Sequence, residues 1–366
     1  MKVVSFLLHG CPVSFLGAYG NEWVATPNLD RLAAEGVVFD AHFAQTPGQL
    51  PVPWTAGVPP ASSSDAGGPP AVQRVLIRST RPENDAPPDY YARWGRLVDA
   101  RPISLDNSPL DSLVRSLPAV LDSLAQATDW HLNIELDTLL PPWHVPQDVF
   151  DVYVEDLLED ASEFAEKVEP WADPPTGWFD EDDAASWELL HRTFAAAMTV
   201  FDVKLGPVFD LLRERNLDRD AAWLFTAAAG FPLGEHGILG YHRPWLHEEI
   251  VHLPLIVRLP NGENAGSRIS SFTQPEDLQD LSRLLTTTRE QVISRYTVNG
   301  SSEVAIRTAE WTYLHPLVVP DDDDPRPAKL FSRPDDRWEV NDVYGSHTDI
   351  ADELAVRVQS LAGGPP

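Results

Sequence analysis

The sequence predicts an α/β fold: a central, mostly parallel or mixed sheet between helices, followed by a small carboxyl-terminal α+β subdomain. Three observations carry this. Val3–Leu8 is an unbroken apolar run with β-branched residues, as expected of a strand buried on both faces. Thr26-Pro27 then opens a helix, with an N-cap residue and a first-turn proline, whose stripe is Leu29, Leu32 and Ala33; Gly36 stops it before the strand Val37-Val38-Phe39. Beyond about residue 272 the composition shifts to short alternating strands with turns.

Further elements follow in order. Leu110–Ala127 has helical spacing, and His131–Asp137 alternates like a strand before the stiff PPWHVP turn at Pro141–Pro146. Two helices are expected at about Asp183–Val200 and Val203–Arg215, then strands at Ala222–Phe225 and Leu253–Leu259. The carboxyl unit contributes Glu303–Arg307, Trp311–His315 and Lys329–Ser332. Pro59–Pro70, PPASSSDAGGPP, is too poor in apolar residues to order itself and reads as an exposed flexible loop. The acidic run Asp321–Asp324 lacks the alternating ligands and glycine turn of a calcium loop. The domain expectation is therefore 1–272 for the α/β unit and 273–366 for the small antiparallel one.

Composition narrows the function. The chain of 366 residues has 27 Lys and Arg against 56 Asp and Glu, a formal net charge of −29. Such a field repels phosphate backbones and anionic headgroups, so nucleic acid is excluded as a partner. Val3–Leu8 is too short for a signal-peptide core or a membrane span, so a cytoplasmic protein is expected. Cys11 is the single cysteine, which excludes an internal disulfide and a multi-cysteine zinc site.

The segment LGAYGNEWVATPNLDRLAAEGVVFDAHFAQTP, Leu16–Pro47, closely resembles the start of sulfatases, which belong to the alkaline phosphatase-like superfamily. Further similar segments follow in family order: Phe201-Asp202 before a helix, GEHGILG at Gly234–Gly240, HEEIVHLPLIVRLP at His247–Pro260, RTAEWTYLH at Arg307–His315 and KLFSRPDDRWEVNDV at Lys329–Val343. The resemblance implies the sulfatase fold and a relationship to sulfuric ester hydrolases. It is weakest between about Pro59 and Asp129.

The same resemblance implies where the chemistry should sit. Family members normally bind calcium with two aspartates after the first strand and an Asp-His or Asp-Asn pair in a later turn, at the carboxyl ends of parallel strands. Those positions fall here on His9 and Gly10, and on Ala228 and Ala229 within Ala227–Ala229. Alanine and glycine side chains offer no oxygen to a hard cation, so no metal or other cofactor is expected. The family nucleophile, a formylglycine made from cysteine or serine in a C/S-x-P-x-R sequence, falls near Gln49; Pro51 is kept, but Pro53 replaces the arginine. Glutamine cannot become formylglycine. Cys11 lies in the wrong loop and reads as a small buried residue.

Glu235 and His236 in GEHG, with His242 and Arg243, form a candidate anion-binding or rebuilt site; with His9 they would offer nitrogen ligands to a borderline metal. His144 falls where the family often has a cleft histidine, and Trp143 beside it reads as a packed anchor.

Three readings follow. The leading one is a catalytically degenerate pseudo-sulfatase with a binding or regulatory role, whose ligand is a sulfated or phosphorylated small molecule or glycan. The second is an active sulfate- or phosphate-ester hydrolase with a rebuilt site. The third is a structural or partner-binding domain, its interface on the acidic surface or on loops bearing some of the twelve tryptophans.

Overall fold

The computed structural model of the chain describes residues 1–50, 72–84, 86, 88–101, 108–155, 168–319 and 327–362. The expectations for Pro51, Pro53, Pro59–Pro70 and Asp321–Asp324 lie outside the described residues.

The core is an eight-stranded mixed sheet. Its centre is β1 (Lys2–His9), flanked in parallel by β5 (Trp130–Leu136) and β7 (Ala221–Ala229). Outside β5 lie β3 (Gln73–Ser79) and β4 (Arg96–Asp99), both parallel. Outside β7 lie β9 (Leu255–Arg258), antiparallel, then β2 (Val37–Phe39) and β10 (Ser267–Ile269). A short ribbon pairs β6 (Gly177–Trp178) with β8 (Ile238–Leu239). A separate antiparallel sheet holds β11 (Gln291–Val298), β12 (Ser301–Thr308), β13 (Trp311–Val318) and β14 (Lys329–Ser332), covered by the helix Thr348–Ala362. All nine residues of β7 are buried, as covering both faces of a parallel sheet requires.

The two helices expected around Phe201-Asp202 are one helix, Ala184–Glu214. Leu190, Phe194, Met198, Phe201, Leu205, Phe209 and Leu212 recur every three or four residues and are all buried, so packing carries the helix through Pro207 despite its missing N–H. Asp202 is a joint rather than a start. Its carboxylate accepts from the backbone N–H groups of Asn28 (3.0 Å) and Leu29 (2.8 Å), at the open amino end of the helix Pro27–Ala34. The segment between Pro59 and Asp129, where the resemblance fades, supplies β3, β4 and the helix Pro109–Leu124. Among the described residues no helix is long and apolar enough to cross a membrane.

Candidate functional site

At the carboxyl edge of the sheet, β1 and β7 bring the two expected metal-holding segments side by side. His9 is the register partner of Ala229, and the N–H of Cys11 donates to the Ala229 carbonyl at 3.0 Å. The loop before Gln49 reaches the same place: the Gly48 N–H donates to the Ala228 carbonyl at 3.0 Å, while Gln49 itself is exposed.

This corner is filled with hydrocarbon and hydrogen-bonded polar groups. Gly10 has φ +75°, and a Cβ there would meet Leu140 Cδ2 at 2.4 Å and the Tyr241 hydroxyl at 3.3 Å. Ala227, Ala228, Ala229 and Cys11 are all buried, and burial pushes the Cys11 thiol well above the usual thiol range. The Tyr241 hydroxyl donates to the Gly230 carbonyl at 2.6 Å. The imidazole of His9 is taken by Glu135, at 2.8 Å from Nε2 to Oε1. Glu135 and Asp137, at the end of β5 and just beyond it, each keep one buried carboxylate oxygen without a hydrogen-bond partner. Even so, no group of three imidazole, thiol or carboxylate ligands converges among the described residues. The calcium that the resemblance implies therefore finds no fitting donor set among these residues.

A second place has more open chemistry. A groove of about 1250 Å³ lies between the turn after β1, the amino end of the helix Ala184–Glu214, the GEHG turn and the carboxyl-terminal sheet. Glu235 and His236 line it. His236 takes φ +53° between Gly234 at φ +98° and Gly237 at φ +70°, a tight left-handed turn that the two glycines allow. The Glu235 carboxylate accepts from the Leu233 N–H at 2.5 Å and lies 3.8 Å from His191 Nε2. Burial, and then the charge of Glu249, push Glu235 up to about 7. Burial opposes protonation of His236, but hydrogen bonding and charge from Glu249, 3.6 Å away, outweigh it and raise its pKa.

Behind His236 runs a buried chain of charges. His236 stacks on His247 with centroids 3.7 Å apart, and His247 Nδ1 meets Glu339 at 2.8 Å. Glu339 accepts from Arg307 at 2.7 Å; Glu248 pairs with Arg333 and, at 2.9 Å, with His252. Most of these residues come from HEEIVH and from β12, and they fasten the two sheets together.

The other two candidates are not among the residues lining this groove. Arg243 is buried, its guanidinium 4.0 Å from the Trp178 ring centroid, and His242 packs edge-on against the same ring. His144 is exposed, and Trp143 is buried against Phe194 and Phe231 with its indole N–H donating to the Leu139 carbonyl. Sequence reasoning missed Glu249, Glu135 and His191. Glu249 was visible in HEEIVH, and Glu135 in the polar alternation of His131, Asn133 and Glu135.

No protein-family model matches the chain. Over 94 residues it is 29% identical to the N-acetylglucosamine-6-O-sulfatase of Bacteroides thetaiotaomicron, a match covering 25% of this chain and only 16% of that protein. Among solved structures, the phosphonate monoester hydrolase of Agrobacterium radiobacter superposes with a TM-score of 0.67 at 17% identity, over 99% of this chain and 95% of that one. A structure in complex with its substrate D-glucosamine-2-N,6-O-disulfate superposes with a TM-score of 0.70 at 12% identity, over 98% and 97%. The chain thus has the alkaline phosphatase-like fold. Within that fold its structural neighbours are sulfatases and phosphonate monoester hydrolases.

Proposed function

We propose that this is a sulfatase-like protein that has lost ester hydrolysis and keeps a binding role, with a glycan as its ligand. The observation that carries the ligand class is the tryptophan rim of the groove. Trp23, Trp187 and Trp338 line it and are 48%, 40% and 48% exposed. Large aromatic faces left in water around one concave, partly polar site suit the apolar faces of sugar rings, while neighbouring carboxylates and imidazoles accept or donate hydrogen bonds to hydroxyls. Loss of hydrolysis is supported by the filled corner at Gly10 and Ala227–Ala229, because a sulfatase mechanism needs an activated nucleophile and a Lewis acid together.

The second reading, a rebuilt hydrolase, draws on Glu235, held near neutrality beside Glu249 and His236, which is the polarity of an acid–base pair.

Isothermal titration with soluble oligosaccharides tests the binding proposal. Micromolar to millimolar binding is expected, reduced by about tenfold or more in Trp338→Ala or Trp187→Ala, since an aromatic contact contributes roughly 0.5–1.5 kcal/mol beyond the area it buries. Equal binding by wild type and both tryptophan variants would remove the groove from the account.

A further inference from the structure

From the charge of the groove we infer that it selects sugars bearing protonated amines over sulfated ones. The inference rests on the glycan-binding proposal and deepens it. Five acidic side chains line the groove among the described residues: Glu155, Glu181, Glu188, Glu235 and Glu249; Glu235, pushed up to about 7, is largely uncharged at pH 6, and the other four carry the negative charge. Among the described residues the basic side chains lining it are Arg192, Lys329, His191 and His236, and the raised pKa of His236 makes it a cation at pH 6, facing Glu249 at 3.6 Å. Arg192 is already committed, pairing with Glu188 at 2.6 Å and donating to the Tyr153 carbonyl. Lys329 holds its ammonium 5.8 Å from the Trp245 ring centroid. His191 stacks on Trp187 with centroids 3.7 Å apart, and burial holds it neutral at pH 7.

A sulfated or phosphorylated glycan would bring anions to this carboxylate-rich wall, under the field of a chain whose formal charge is −29. An ammonium on a sugar ring meets the opposite situation. The carboxylates attract it, and the indole of Trp23, 48% exposed, adds a cation–π attraction that a neutral acetamide lacks; one face of Trp187 is taken by His191, and the Arg337 guanidinium lies 4.7 Å from the Trp338 ring centroid. One ligand chemistry satisfies both features of the groove: an apolar ring face to stack on tryptophan, carrying a cationic nitrogen.

Three probes decide it: hexamers of glucosamine, of N-acetylglucosamine and of a heparin-derived sulfated chain, titrated by calorimetry at pH 6 into the intact chain. The glucosamine hexamer is expected to bind about tenfold more tightly than the N-acetylated one, with the sulfated chain weakest. The preference should shrink in Glu181→Gln and in Glu155→Gln, whose circular dichroism and Tm report folding, and should weaken as salt is raised. Equal affinity for the amine and acetamide hexamers, or tighter binding of the sulfated one, overturns the charge selection while leaving glycan binding standing. No heat from any of the three with folded protein overturns both.

Discussion

Arg307→Met is expected to destabilise the fold by about 3–5 kcal/mol, because it removes the cation from a charge network that water does not reach. Arg307 is 1% exposed; one nitrogen donates to Glu339 at 2.7 Å and to the Leu246 carbonyl at 2.6 Å, and Glu248 lies 3.9 Å from another. Removing it leaves Glu339, itself 1% exposed, with His247 as its remaining hydrogen-bond partner among the described residues and its burial uncompensated by a cation in contact. An exposed ion pair would lose roughly 1 kcal/mol or less, so the size of the loss separates a fastening network from a surface one. Urea unfolding of wild type, Arg307→Met and Arg307→Lys measures it. A loss below 1 kcal/mol for Arg307→Met would mean the two sheets are held by apolar packing alone.

Acidification below pH 6.5 is the second large effect. Burial lowers His42 and His131 to about 3 and His191 to about 4, and burial followed by the charge of His236 drives His247 well below its ordinary value. A lowered folded pKa means that the unfolded chain takes the proton first, so the stability these four contribute is complete above pH 6.5 and is lost as pH falls. Buried carboxyls act the other way: burial raises Glu235 to about 7 and also raises Glu339, Asp202 and Asp30. His247 and Glu339, hydrogen-bonded to each other, act in opposite senses; His42, His131 and His191 less Glu235 leave a net difference of about two protons, or about 3 kcal/mol per pH unit between pH 6.5 and 4.5. His236, whose folded pKa is raised, adds stability below pH 6.5 that fades as pH climbs through that folded value. Denaturant midpoints taken at constant 0.15 M salt, which screens the exposed acidic surface, should fall steeply across this window. A flat or rising profile would contradict the neutral burial of these histidines.

The parts of the fold that were legible in the sequence are those whose burial is continuous. Val3–Leu8 and Ala222–Phe225 are covered on both faces, so their apolar runs stand out, and the helix Pro27–Ala34 carries its own cap and stop. By contrast, β3 reads QRVLIRS and β4 reads RLVD, outer strands with charged ends whose pattern does not rise above a loop. The long helix reads as two because Phe201-Asp202 looks like a boundary when viewed locally; the tertiary contact of Asp202 with Asn28 and Leu29 accounts for an aspartate there.

The candidate site divides in the same way. The corner at His9, Gly10 and Ala227–Ala229 could be placed because motifs flank it. The groove draws Trp23, Trp187, Glu249 and Trp338 from four distant segments, and no spacing in a linear chain announces that convergence. The stacking of the buried Arg243 guanidinium on Trp178 likewise has no linear signature.

The central claim is that ester hydrolysis has been lost while the groove persists. Turnover of an aryl sulfate and of a phosphonate monoester, followed with added calcium for wild type, Gln49→Cys produced beside a formylglycine-generating enzyme, Glu235→Gln and His236→Ala, tests it most directly. The account predicts rates indistinguishable from buffer for all four proteins, because the missing functions act together and restoring one does little. Turnover that scales with wild-type protein and disappears in Glu235→Gln or His236→Ala would contradict it and establish a rebuilt hydrolase in the groove.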